Sequence, residues 1–413
     1  MTRPRHLARL NCHLLEDRAT PSATAALAVG SLIITGDNTA NDVLITVNAG
    51  NMVDVTVNGA PAGTFHPTAS LFATMGTGND KVHINLNSNT LALTNVVLRG
   101  GDGNDELSID GGGALQSSVW SIGGNGDDRL SIGGTAVTGG NIVFDGGAGN
   151  DSGLLGGAAI TANTFVSGVQ NVTLGGTKFT GNLTIAPGEA TAAATIFSGT
   201  VVTGNASYFG TSANDQLTLG GGTSVGGNFF ASLGNGDNTA TLQPGAILAR
   251  TSIWAGTGND NVSVGSGAAT KSFDIVLGNG TNTVGFSGAA VTGDLRIWGG
   301  SGSDTVTTNA HDSITGNMLL VLGDGPNSFT GAQNVGGTFT YFGGSGVDTV
   351  NLSSARGTSF AVTLVLGDGD DVFTYTHTTG DMDPSSFNLF FGGGNDTFNH
   401  NVPITWPNTV TGL

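Results

Sequence analysis

One cysteine, Cys12, occurs in 413 residues, so no disulfide framework staples the fold and cysteine usage does not indicate a compartment. Charged residues make up only 10% of the chain and aromatics 7%, which fits neither a disordered acidic tail nor an ordinary globular enzyme. Long apolar runs are missing too. The best candidate, "AALAVGSLII", is ten residues long and is broken by Gly30 and Ser31, so no membrane span is expected. The N-terminus starts basic but lacks the apolar stretch of an export signal, and an ordinary signal peptide is not supported. The seven histidines, at 6, 13, 66, 83, 311, 377 and 400, show no paired metal-ligand spacing. There is no G-x-S-x-G elbow and no phosphate-binding loop, so a catalytic reading has little to build on. Basic residues are scarce as well: 12 Lys and Arg face 30 Asp and Glu, for a net charge of −18. Such a surface repels phosphate backbones and attracts cations, which excludes nucleic acid as a partner and favours metal ions.

What the chain does have is glycine, 71 residues or about 17%. Ordinary domains carry about 7%. Without a collagen period, that excess belongs in turns that need positive φ. The turns recur. Aligned on the residue that closes each one, Asp80, Asp105, Asp128, Asp151, Asp215, Asp260, Asp304, Asp348, Asp371 and Asp396 fall mostly 22 to 23 residues apart once Asn238, Asn282 and Asn327 fill the gaps. Between Asp151 and Asp215 the gap is 64, and "SGVQNVTLGG" and "IAPGEATAAATIF" stand where two degraded copies should fall. Each unit shows a Gly-rich turn, a short alternating strand, a second turn such as the Thr-Gly-Asp of "VTGDLRIW", and another strand. Strands of 3 to 6 residues without any 3.6-residue stripe argue for β structure throughout.

A fixed period of this length signals stacked units that supply one another's core. The expected fold is all-β, a parallel β-solenoid (β-helix or β-roll) with about 22 to 23 residues per coil. Residues 1–26 read as an export- or targeting-like segment, 27–75 as a capping rung with a hairpin and a variant turn ending at Asp42, 76–398 as the solenoid, and 399–413 as a C-terminal cap or truncated end. Before the turns of the C-terminal half, aromatic-containing and aliphatic pairs alternate: "IWAG", "IVLG", "IWGG", "LVLG". This alternation predicts an interior column of large and small side chains, with Trp254, Trp298, Phe342 and Phe391 as core. A row of aromatics for sugar stacking is the competing reading.

The turn carries the chemistry. "GGDGNDELS" (100–108), "GGNGDDRLS" (123–131), "GGSGSDTVT" (299–307) and "GGSGVDTVN" (343–351) each follow Gly-Gly-x-Gly-x-Asp-x-apolar-x, with one-position variants at 75–83 and 255–263. The pattern resembles the calcium-binding nonapeptide of the RTX, or haemolysin-type, repeat proteins. The resemblance implies Ca²⁺ as cofactor, held between consecutive turns, with Asp80, Asp102, Asp105, Asp127, Asp128, Asp151, Asp260, Asp304, Asp348, Asp368, Asp371 and Asp396 as candidate ligands. Pairs 105/128 and 128/151 would be the best sites. This chain departs from the family in carrying the nonapeptide once per coil instead of in tandem, so one edge alone would hold ions.

Electrostatics bear on the same residues. Rungs about 4.8 Å apart bring neighbouring carboxylates to a repulsion of roughly 0.9 kcal/mol in water and about 3.5 kcal/mol at an effective dielectric of 20. Ca²⁺ would relieve that, and so would Asn at every second position, as at Asp260, Asn282, Asp304 and Asn327. The uninterrupted stretches 80–151 and 348–396 are therefore where metal is expected. Stacked Asn and Asp can also form ladders with no ion.

"LLEDRATPS" (14–22) resembles a short segment near the start of many repeat-bearing surface or secreted proteins of planctomycete bacteria. It implies an extracellular or cell-surface location. The expected function is a calcium-binding, non-enzymatic structural or adhesive protein, with calcium ions and surface glycans or proteins as partners. The alternatives are a carbohydrate-active β-helix enzyme (polysaccharide lyase or hydrolase), which an acid pair and an arginine clustered on one exposed sheet face would favour, and a metal-free spacer. Arg250, Arg296 and Arg356 are the arginines available for such a cluster in the C-terminal half.

Overall fold

Short alternating segments closed at both ends by glycine turns cannot bury a face alone, and in this chain they pair copy to copy. The structure is a computed structural model that describes residues 23–188, 192–332, 334–353, 360–378, 384–401 and 408–411. These form a parallel β-solenoid of about 14 coils of roughly 23 residues, with no α-helix and only a short 3-10 turn at Ala49–Asn51. The proposed LEDR-like segment, residue 356 and part of the C-terminal stretch fall outside the described residues.

One coil shows the pattern. Glu106–Asp110 lies in one sheet, three glycines at 111–113 turn the chain, and Ala114–Asn125 runs through the other sheet to the next Gly-rich turn. Leu107 aligns with Leu130 of the next coil and Ile109 with Ile132, all in parallel register. Strands along the two sheets range from two residues to the 13 of Thr90–Asp102, a longer span than the sequence suggested because that strand continues through the bend into its turn. At the N-terminal end the pairing turns antiparallel: Thr24–Ala28 against Ser31–Thr35, and Asp42–Val47, Val53–Val57 and Ala60–Phe65 as a meander.

Inward residues of the two sheets meet in one continuous apolar core. Each fully buried aliphatic or aromatic side chain contributes about 1.5–3 kcal/mol relative to exposure. Large and small side chains do compensate between coils, though not at the positions expected. Ala206 stacks on Phe229 while Tyr208 stacks on Ala231, and all four are buried.

The aromatics singled out in the sequence divide differently. Phe391 is fully buried, but Trp254 is 50% and Phe342 38% exposed, and Trp298 is only partly buried. The strand period of two is the reason: in "IW" and "YF" one residue faces in and the other out, and Ile253, Ile297 and Tyr341 take the core. The large–small alternation is therefore a feature of the outer face.

Replacing Phe229, which meets Phe197 edge-on at 6.4 Å, tests the packing. Phe229→Ala should lower stability by about 3–5 kcal/mol, read as the urea midpoint. Phe209→Ala, at a site 44% exposed, should move it far less. Equal shifts would contradict this assignment of the core.

Candidate functional site

Each Gly-rich turn ends on a residue whose side chain folds back inside the solenoid. Asp105, Asp128 and Asp151 are 0–2% exposed, as are Asp260, Asp304, Asp348 and Asp371. The first turn glycine makes the inward fold possible: a methyl group on Gly123 would overlap Oδ2 of Asp128. The second lets coils stack closely, since Gly124 sits at φ +132° with the carbonyl oxygen of Gly101 where a Cβ would lie. These constraints explain the paired glycines without invoking a ligand.

At most coils Oδ1 of the closing residue accepts the backbone N–H of the closing residue one coil earlier; at Asn282 that N–H goes to the Ser303 carbonyl, and Asn282 Nδ2 donates to Asp304 Oδ1 instead. Asp80 N–H donates to Asp105 at 2.7 Å, Asp105 to Asp128 at 2.8 Å, and Asp128 to Asp151 at 2.8 Å. The column continues through Asp348 to Asp371 at 2.8 Å and Asp371 to Asp396 at 2.9 Å. Gln170 serves as the acceptor for Asp151 at 2.6 Å, and Ala193 N–H donates to Asp215 at 2.8 Å, so the two degraded copies keep the frame. At the start of the column the sequence alignment was off by one: buried Asn41 donates to Asp80, while Asp42 is exposed and begins a strand.

The second oxygen differs. Oδ2 of Asp80, Asp105, Asp128, Asp151, Asp260 and Asp371 is buried without a hydrogen-bond partner. At Asp348 the buried Tyr341 hydroxyl lies beside the carboxylate. Where the column holds Asn, the equivalent Nδ2 donates to carbonyls of its own turn: Asn238 to Gly236 at 2.9 Å, Asn327 to Gly323 at 2.8 Å and Gly325 at 3.0 Å. An ionised Asp in the same pose sets an acceptor against acceptors. Asn also supports its neighbours, donating to Asp260 at 2.9 Å and Asp304 at 2.7 Å. The Asn–Asp alternation thus relieves the column with amide donors, whereas 80–151 and 348–396 lack that relief.

Burial therefore pushes several of the column acids up. Asp128 is raised to about 7 by desolvation, with the carboxylates of Asp105, Asp151 and Asp127 adding to it. Asp105 rises to about 6 and Asp348 to about 7, again first through desolvation. Asp151, Asp260, Asp304 and Asp371 move in the same direction for the same leading cause.

Asp102, Asp127 and Asp368 do not join the buried column; all three are exposed on the turns. Asp102 and Asp127 join outer ladders instead. Asp127 N–H donates to Asn104 Oδ1 and Asn150 N–H to Asp127 Oδ1, both at 2.9 Å, in the opposite direction to the inner column. Asp102 Oδ1 accepts Asn125 Nδ2 at 2.7 Å. The second turns of these coils, Thr-Gly-Asn or Gly-Gly-Asn, make a third ladder, with Asn205 N–H on Asn182 and Asn228 N–H on Asn205.

No three His, Cys, Asp or Glu side chains converge into a metal-holding group among the described residues. A cation at the column would thus draw on one carboxylate oxygen and on turn carbonyls, a hard-oxygen set that Ca²⁺ accepts. The orphaned Oδ2 atoms fit such an ion in charge.

The structure also assembles a cluster that sequence reasoning left apart. On the outer face of the longer sheet, Asp274 accepts Arg250 Nη2 at 3.0 Å and Arg296 Nη1 at 3.2 Å, and Asp294 accepts Arg296 Nη2 at 2.6 Å. The one-coil step between Asp274 and Arg296 was the available signal. No protein-family model, curated protein or solved structure matches the chain. The class defined here is that of the β-solenoids with stacked, buried Asp columns.

Because Asp105, Asp128 and Asp348 have folded pKa values above their ordinary 3.8, their contribution to stability is complete below about pH 4 and lost as pH rises through about 6 to 7. In EDTA, the melting temperature should fall between pH 4.5 and pH 8. Asp128→Asn should flatten part of that decline. A melting temperature that rises over this interval would contradict the buried column.

Proposed function

We propose that the protein is a non-enzymatic, extracellular or cell-surface solenoid with a structural or adhesive role, whose acid column binds Ca²⁺. One observation carries this reading: Asp80, Asp105, Asp128, Asp151 and Asp371 bury an unpartnered Oδ2 at the place where Asn would offer an N–H to turn carbonyls. Either a proton or a cation can supply the missing positive charge. At neutral pH and millimolar Ca²⁺ the cation wins if it gains the carbonyl oxygens as further ligands. Ion binding then adds to folding stability by mass action, and the solenoid is most rigid outside the cell. The RTX-like nonapeptides support the choice of ion, and the LEDR-like segment supports the location.

Circular dichroism and thermal melting at pH 8, in EDTA, in millimolar Ca²⁺ and in Mg²⁺, provide the test. A gain in melting temperature specific to Ca²⁺ is expected, diminished by Asp128→Asn. Coincident melts would leave the turns as hydrogen-bonded turns and favour the metal-free spacer.

The Asp274, Asp294, Arg250 and Arg296 cluster favours a second reading, a carbohydrate-active enzyme. Both carboxylates are held by guanidinium groups, an arrangement better suited to binding than to proton donation. Release of new reducing ends from polysaccharides would reverse that preference.

A further inference from the structure

The outer face of the longer sheet carries aromatics in a regular pattern. Strand register aligns Phe209, Trp254, Trp298, Phe342 and Phe390 in a single outward column. Between them stand Ser232, Val276, Val321 and Val365, one per intervening coil. Phe209 is 44% exposed, Trp254 50% and Phe390 37%. At about 4.8 Å per coil, the rings recur every 9.6 Å or so over roughly 38 Å. The adjoining outward column has the same two-coil rhythm at Phe72, Trp120 and Phe165. Phe230 bridges the columns, its ring 5.8 Å from Phe209 and 5.5 Å from Trp254.

Beside the Trp254–Trp298 pair lies the Arg250–Asp274–Arg296 network, which together with the two indoles lines an open pocket of about 320 Å³. Each guanidinium keeps N–H groups free of its Asp contacts, because Arg carries five donors. Aromatic plates at a fixed interval, with a charged hydrogen-bonding network beside the Trp254–Trp298 pair, differ from a protein-docking patch, whose centre is depleted of charged groups.

We infer that this face, between Phe209 and Phe390, binds an extended neutral polysaccharide running along the solenoid. Two coil spacings match the repeat of a disaccharide unit in an extended chain, so every second sugar ring meets an aromatic ring. Its apolar face packs on the ring, and its hydroxyl groups reach the Arg–Asp network. Charge selects the neutral class: the arginines are already paired with Asp274 and Asp294, and the net charge of −18 repels a polyanion. This inference names a partner for the adhesive reading and does not depend on the calcium sites.

The test is affinity electrophoresis of the full chain in gels containing hydroxyethylcellulose, xylan, galactomannan or polygalacturonate, each with Ca²⁺ and with EDTA. Retardation by at least one neutral glycan is expected. The double variant Trp254→Ala/Trp298→Ala should weaken it at least tenfold, while Ile196→Ala, an exposed apolar site on the other sheet, leaves it unchanged. Melting curves of the three proteins should coincide. Absence of retardation by every neutral glycan, or equal retardation of the double variant, overturns the inference. So does retardation by polygalacturonate alone, or a stripe that only mediates self-association in sedimentation. Binding that persists in EDTA while Ca²⁺ leaves melting unchanged would sink the calcium reading and leave this one standing.

Discussion

A backbone N–H at the close of nearly every turn points along the solenoid axis, and a side-chain oxygen of the next coil receives it. That one hydrogen bond sets the demands on the rest of the turn. The acceptor has to be short and carry an oxygen at the right reach, which selects Asp or Asn, with Gln170 as an isolated substitute. The side chain has to fold inward over the turn, which removes the Cβ at positions such as Gly123. Coils have to stack at strand spacing, which removes it again at Gly124. The Gly-Gly-x-Gly-x-Asp pattern is therefore first a solution to a stacking problem. A ligand-binding role would be built on top of it.

An inward-folded acid creates its own difficulty. A carboxylate has two acceptors where the turn offers one donor, and burial raises the energy of the charged form. The chain resolves this in two ways. From Asn238 to Asn327, amides alternate with acids and hand an N–H across the coils. From Asp80 to Asp151 and from Asp348 to Asp396 the acids run without interruption, and neutralisation falls to a proton or a cation. On the proposed reading the two regimes give one fold different affinities for Ca²⁺ along its length.

Much of this was legible in the sequence. The 22- to 23-residue spacing of the closing acids located coils, turns and strands, and the repulsion argument identified the Asn alternation as relief. Inside and outside at the "IW" and "YF" pairs were not legible, because a period of two says that neighbours point opposite ways without saying which is buried. Size suggested the aromatic; the geometry puts Ile253 and Ile297 inside and leaves Trp254 half-exposed. Likewise Asp102, Asp127 and Asp368 share a turn with the column acids, yet only the closing position faces in. The Arg250–Asp274–Arg296 network joins three coils, and it became visible only once register was known.

The central claim is that Asp128 and Asp348 are desolvated and take up a proton near neutrality unless a cation replaces it. Carboxyl ¹³C titration of Asp-labelled protein in EDTA, assigned with Asp128→Asn and Asp348→Asn, measures this directly. The account predicts resonances for Asp128 and Asp348 that titrate near pH 7, with Ca²⁺ moving both to the ionised position at lower pH. Every Asp titrating near its ordinary value of 3.8 would contradict it.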